Sequence, residues 1–264
     1  ITFSYFFISA NKKGNLLKNK MKGYYSFIVT LLLILMAGFR GAEIGRDTDQ
    51  YTLLFNLVKN YSSLDAAFNG TSMERGYVML EYYIYQLGVD HQFFFMVCAI
   101  LTLAPIGYVF NKYSKNPWIA FFIFITFPVY TTIAFTTVRQ GIAIGMVMMA
   151  FHYSQKEKLL KYLLFILLAI SFHRTAIFFL PIYWLKKINL TQRVLLVSVI
   201  AVVFGYLLKT TLLVFFSEFT RMSYGAAEEG GLLMYLFYIV ITSFSLLFRK
   251  YYRGEYDDNK IYIY

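Results

Sequence analysis

Charge is scarce in this sequence, and so are the residues on which cofactor chemistry usually rests. Of its 264 residues only 15% are Asp, Glu, Lys or Arg, and it holds one cysteine and three histidines. The lone thiol, Cys98, lies inside an apolar run, so it excludes an internal disulfide and reads as lipid- or core-facing filler. No His, Cys, Asp or Glu spacing resembles a metal site, there is no Walker-type or dinucleotide-type glycine loop, and no serine nucleophile elbow occurs. Nucleotide hydrolysis and acyl transfer of the soluble type therefore find no support, and neither a cofactor nor a metal is expected. Acidic residues are fewer than basic ones, 14 against 25, giving a formal charge of +11. Reading that excess as a nucleic-acid footprint would need a basic patch on a solvated fold, and no nucleic-acid partner is expected.

What the chain has in abundance is apolar sequence: 59% hydrophobic and 20% aromatic residues, with a mean hydropathy of +0.56. No soluble core needs that much. The expectation is an all-α fold, a polytopic integral membrane helical bundle, because in lipid each backbone group must be satisfied within its own segment. Apolar runs fall at 24–39, 92–110, 118–137, 138–154, 159–172, 174–185, 194–215 and 232–248, so roughly eight membrane helices are expected. The sequence starts at Ile1 inside an apolar stretch and stops at Ile261–Tyr264 at what reads as the start of another. Residues 1–264 are thus expected to form a single membrane domain truncated at both ends.

Charge sets the expected orientation. With residues 11–23 (Lys12, Lys13, Lys18, Lys20, Lys22) in the cytoplasm, every alternate connection there is also basic. Those connections carry Lys112 and Lys115, then Lys156, Lys158 and Lys161, then Lys186, Lys187 and Arg193, and finally Arg249, Lys250, Arg253 and Lys260. The positive-inside rule explains this pattern and the net charge together. The stretch 159–185 reads as a hairpin returning to the inner side, since lysines flank both ends and His173 and Arg174 fall at its middle. Each arm is too short to span alone, which makes the hairpin re-entrant-like, with a polar tip at the outer face. Residues 40–90 form the one long extracytoplasmic segment. Its glycines Gly41, Gly45 and Gly70 indicate loops in the first half, while Met79, Leu80, Tyr83, Ile84 and Leu87 recur at helical spacing and predict an amphipathic surface helix.

Four ionisable clusters then fall on one side of the membrane: Phe39-Arg40, Gly45-Arg46-Asp47 with Tyr51, Val138-Arg139-Gln140, and Phe172-His173-Arg174. Unpaired charge is expensive at a bilayer, so arginines gathered with a histidine point to a site for something anionic. Guanidinium meets phosphate oxygens as a planar fork. Each residue also has a plainer explanation. Arg40 and Arg46 can snorkel to headgroups with Asp47 as a salt-bridge partner, and Gln140 can act as a cap. His173 can be a satisfied structural residue, and His91 and His152 default to interfacial roles. Glu74, in Glu74-Arg75-Gly76-Tyr77, is a further acidic candidate, although an acid opening a helix is favourable for structural reasons alone. Gly141, Ala143 and Gly145 would let a neighbouring helix or a lipid tail approach closely.

With these motifs the chain resembles the EpsG family of bacterial membrane proteins, related in kind to Wzy-type polysaccharide polymerases. The resemblance rests on Phe39-Arg40, Gly45-Arg46-Asp47-Thr48-x-x-Tyr51, Glu74-x-Gly76-Tyr77, Val138-Arg139-Gln140-x-Ile142-Ala143 and Phe172-His173-x-Thr175-Ala176, in that order over about 40–180. Thr175 stands where the family pattern usually has Ser, which keeps the hydroxyl. The resemblance implies glycosyl transfer that polymerises oligosaccharide units carried on undecaprenyl pyrophosphate, at the outer face of the plasma membrane, in exopolysaccharide, capsule or O-antigen assembly. It also implies partners: the lipid-linked glycan, membrane lipid, a chain-length regulator and other polysaccharide assembly proteins. On this reading Arg139, Arg40 and Arg174 stabilise the departing pyrophosphate, His173 or Asp47 takes the acceptor proton, and Arg46, Gln140, Tyr51 and Glu74 line the binding site. A transporter or flippase of the same glycan, and a membrane sugar O-acyltransferase, are the alternatives.

Overall fold

A computed structural model of the protein describes residues 15–41 and 43–185, with isolated positions between 204 and 211. The chain divides into two compact units, residues 1–183 with 261–264, and residues 184–260. The description below concerns the first. Most of the run at 194–215, all of the run at 232–248 and the basic residues from Lys186 onward lie outside the described residues.

Among the described residues the regular elements are helical, as the apolar periodicity requires. Helix α1 (Asn15–Gly38) is followed by α2 (Thr48–Leu57), a 3₁₀ turn (Val58–Asn60), α3 (Leu64–Gly70) and α4 (Arg75–Gln86). Then come α5 (His91–Tyr113), α6 (Pro117–Thr126), the short α7 (Val129–Thr131) running into a π turn (Thr132–Thr136), α8 (Val138–Gln155), α9 (Leu159–Phe172) and a 3₁₀ segment (Arg174–Phe179). The segment 40–90 is therefore more helical than its glycines indicate. The glycines mark the joints: Gly45 has a φ of +101° in the loop before α2, and Gly70 ends α3.

Two helices, within Lys20–Gly38 and His91–Tyr113, are long and apolar enough to cross a membrane. The run at 118–137, expected to be one span, is broken: α6 and the α7–π segment meet at 69°. Pro128 is the cause, since it has no N–H to donate and forces Phe127 into an extended conformation (φ −78°, ψ 151°). Counting that bent pair gives up to three spans, so the expected eight are not reached among the described residues. At 14 residues, α9 is apolar but short.

Helices α1, α5 and α8 form the body. Leu33, Ile34 and Ala37 of α1 meet Ala99, Leu103 and Ile106 of α5 in one apolar core, and Phe121, Phe124 and Tyr130 close it from the bent pair. A Cβ at Gly145 of α8 would collide with the Leu101 carbonyl of α5, so this glycine sets how closely the two helices approach. Helix α9 packs along α8, and the chain after His173 folds back on it. The Tyr162 hydroxyl donates to the Phe179 carbonyl, and the rings of Tyr162 and Tyr183 stand 5.2 Å apart. The expected hairpin is thus present, with His173 at its turn. At the end of the bundle away from His173, Lys22 donates to the Ser114 carbonyl at 2.7 Å, and Tyr113 pairs with Nδ1 of His152 at 2.7 Å. His152, expected only at an interface, is instead buried, with Tyr108 3.4 Å from its other ring nitrogen.

Helices α2 and α4 dock on the start of α5 through aromatic rings. Phe55 stacks on Phe94 at 5.3 Å, Tyr77 meets Phe94 edge-on at 5.8 Å, and Tyr51 lies 5.9 Å from Tyr77. Helix α4 therefore buries Tyr77, Val78, Glu81 and Ile84, while Met79, Tyr83 and Leu87 are exposed as an apolar stripe.

Candidate functional site

At one end of the bundle four junctions come together: the end of α1, the start of α4, the π turn leading into α8, and the turn after α9. Glu74 is the meeting point of the last three. It occupies the N-cap position of α4 (φ −67°, ψ 140°), where an acidic side chain would ordinarily bond the first free N–H groups of its own helix, and here it makes no such bond. Its carboxylate turns outward from the helix. Oε2 pairs with Nη1 of Arg139, Oε1 lies 3.4 Å from Nδ1 of His173, and the Arg174 backbone N–H reaches Oε1 at 3.4 Å. Burial pushes the Glu74 carboxyl up, but the His173 imidazole and the Arg139 guanidinium pull it down further, to about 2. Glu74 is 5% exposed, His173 13% and Arg139 22%, so the cluster is enclosed on the carboxylate side and reachable from the Arg139 side.

Gly76 makes this geometry possible. A Cβ there would strike both the Oγ and the carbonyl oxygen of Ser171, two residues before His173. Only glycine lets the first turn of α4 lie against the end of α9. His173 itself is extended (φ −156°, ψ 118°), which ends α9 and swings its ring toward Glu74.

Arg40 reaches the site from the other side. The π turn explains its position: the helix ends at Thr137 (φ −99°, ψ 65°), leaving its last carbonyls without helical partners. Arg40 Nη1 donates to the Ala134 carbonyl at 2.5 Å, and Thr48 Oγ1 lies 3.4 Å from that of Phe135. The Arg40 guanidinium sits 4.0 Å over the Phe95 ring. Although the residue is only 4% exposed, its Nε and Nη2 have no hydrogen-bond partner among the described residues, and neither does Arg139 Nε, while His173 Nδ1 has only the Glu74 oxygen at 3.4 Å. Burial lowers the Arg40 guanidinium, offset by Cys98, Tyr51 and Tyr77 within electrostatic reach. Buried donors without acceptors are rare in proteins, and a cluster of them marks where an acceptor belongs.

Between the two arginines lies a layer of polar groups. The Tyr51 phenol is raised by burial, against the pull of the adjacent Arg139. Tyr77, fully buried, donates its hydroxyl to Glu81 Oε1 at 3.2 Å, and burial raises Tyr77 well above the ordinary phenol range. Burial also raises Glu81 to about 7, against the opposing effects of the Tyr77 hydroxyl and Arg139.

Of the residues expected at the site, Arg139, His173, Glu74, Tyr51 and the Arg174 backbone are brought together, with Arg40 beside the same tyrosines. Asp47 is half-buried at the N-cap of α2 without a capping bond. Arg46 and Gln140 are exposed. Glu81 was not foreseen. An acid inside an amphipathic surface helix reads as its solvated face, but Glu74, Tyr77 and Glu81 fall at i, i+3 and i+7, the spacing of one helix face, and that was the available signal.

Apolar helices framing this partly enclosed cationic cluster make the molecule a helical membrane protein with a charged site where its helices end. The chain belongs to the EpsG family, whose profile matches residues 23–264, and that family is one of Wzy-like polysaccharide polymerases. No curated protein and no solved structure matches the chain.

Proposed function

We propose that this protein lengthens a bacterial polysaccharide by transferring glycan between lipid-linked oligosaccharide units. The carrier is undecaprenyl pyrophosphate, and the site faces outward at the plasma membrane. The observation that carries the proposal is the set of buried guanidinium N–H groups without acceptors, on Arg40 and Arg139, beside a histidine–carboxylate pair. A pyrophosphate supplies the acceptors those groups lack, and Arg forks match its oxygens. In the reaction, His173 takes the proton of an acceptor sugar hydroxyl, and Glu74 steadies the imidazolium that results. The hydroxyl oxygen bonds to the anomeric carbon as the bond from that carbon to the pyrophosphate oxygen breaks. The arginines hold the charge that develops on the departing lipid pyrophosphate. Asp47, half-buried and outside the Glu74 cluster, is the weaker candidate for the base.

The test is reconstitution of the full-length protein with lipid-linked repeat units, reading product length on a gel. Wild type is expected to give a ladder, and His173→Ala none. Arg139→Lys keeps the charge but loses the planar fork, and is expected to insert normally while losing at least about tenfold in elongation. Equal ladders from all three would refute the assignment. Protein-dependent movement of the unlengthened lipid across the bilayer, without elongation, would make the protein a transporter.

A further inference from the structure

Glu81 adjoins the site through Tyr77, whose ring lies 5.9 Å from that of Tyr51, and takes no part in the transfer described above. It is 5% exposed, and among the described residues its one hydrogen bond comes from the Tyr77 hydroxyl. Among the described residues no cation stands within ion-pair distance of it. Arg139, the cation that acts on it electrostatically, is already paired with Glu74. The groups that face it are Tyr77 on its own helix, Cys98 from α5 and Arg139 from α8. Cys98 and Tyr77 also lie within electrostatic reach of Arg40, whose Nε and Nη2 are unpartnered. The site thus combines the buried Arg40 guanidinium and the partly exposed one of Arg139 with one carboxylate committed to Arg139 and His173 and a second, Glu81, bonded to a phenol.

We propose that Glu81 is the site's exchangeable counter-charge: ionised when the site is empty, it takes up a proton from solvent when an anionic phosphate head group enters against Arg40 and Arg139. This rests on the anion-binding reading above and adds its proton coupling. Two anions in a low-dielectric site cannot both remain ionised opposite the same cations without cost, and the ligand, in direct contact, displaces the more distant carboxylate from that role. Up to one proton enters for each anion bound, according to how far Glu81 was ionised beforehand, and it leaves when the product lipid departs. Glu81 is set for this because its hydrogen-bond partner among the described residues is a hydroxyl, which can donate to a carboxylate or accept from a carboxylic acid. Release of the spent carrier is then favoured as Glu81 ionises again.

The probe is farnesyl pyrophosphate, titrated calorimetrically at pH 7.5 into the full-length protein in zwitterionic nanodiscs, in two buffers of different ionisation enthalpy. The ligand's own protonation is common to every variant and cancels in comparison. Wild type is expected to take up a substantial fraction of a proton more than Glu81→Gln, and its affinity to weaken above neutrality more steeply than that of Glu81→Gln, by up to about a further tenfold per pH unit. His173→Ala is expected to keep the Glu81-dependent part of the uptake. Tyr77→Phe removes the bond that favours ionised Glu81, so its uptake at pH 7.5 is expected to fall below that of wild type. Binding with equal uptake by wild type and Glu81→Gln would overturn the coupling alone. Absence of binding by wild type at any pH would overturn both the coupling and the anion site beneath it.

Discussion

At the scale of single residues, Glu74 separates a structural role from a chemical one. It neutralises Arg139 and orients His173 at once, so Glu74→Gln removes one partner of a largely buried pair and leaves the other charge uncompensated. A loss on the order of 2 kcal/mol is expected, below the ~3–5 kcal/mol of a fully buried pair because Arg139 is 22% exposed and partly hydrated. The double variant Glu74→Gln with Arg139→Gln removes both charges and is expected to recover most of that stability, read as denaturation of purified protein, while elongation stays lost. Recovery of elongation in the double variant would show the pair to be scaffold only. The sequence named Arg139 and His173 from their position between apolar runs, because a charge with no loop around it is conspicuous there. It did not single out Glu74 as the hub: an acid at a helix start has an ordinary explanation, and only the observed backbone shows that Glu74 leaves its own helix uncapped.

At the scale of elements, the site depends on how closely α4 lies against the end of α9, and Gly76 decides that distance. Gly76→Ala would press a methyl group into the Ser171 Oγ and carbonyl, and the carbonyl cannot rotate away. The first turn of α4 must then lift, carrying Glu74 away from His173. An overpacking cost of about 1–3 kcal/mol is expected, with elongation reduced further than stability alone explains. Gly41→Ala is the control, since a Cβ there meets nothing within 4 Å, and it is expected to behave as wild type. Hydropathy predicted the helices α5, α8 and α9 almost to their ends, and the end but not the start of α1, which begins in the basic segment at Asn15, because apolar length is a direct physical demand of the membrane. The 69° break lies inside a continuous apolar run, where hydropathy does not register it; Pro128 was the available signal, and the π turn after it had none. The short helix α2 was equally hidden, since its stability comes from Tyr51 and Phe55 packing on Tyr77, Tyr85 and Phe94 further along the chain.

At the scale of the whole molecule, two buried carboxyls give stability opposite dependences on pH. Glu74, held at about 2, contributes stabilisation that is complete above its ordinary value of 4.5 and is lost only as pH falls through about 2. Glu81, raised from 4.5 to about 7, binds its proton more tightly in the folded protein than in the unfolded chain. Its contribution is therefore full below pH 4.5 and is lost as pH rises to about 7, a change on the order of 2–3 kcal/mol. The ligand-free protein is accordingly expected to be most resistant to denaturation in mildly acidic solution and to weaken toward neutrality. Glu81→Gln, which cannot ionise, is expected to show no such decline, and thermal denaturation of both proteins from pH 5 to pH 8 reads the difference. Parallel curves would mean that Glu81 stays ionised, or stays protonated, across the whole interval. A decline confined to wild type would show that the ligand-free protein keeps an ionised carboxylate at neutral pH at the expense of stability, a cost that binding of an anion at Arg40 and Arg139, as proposed above, would offset.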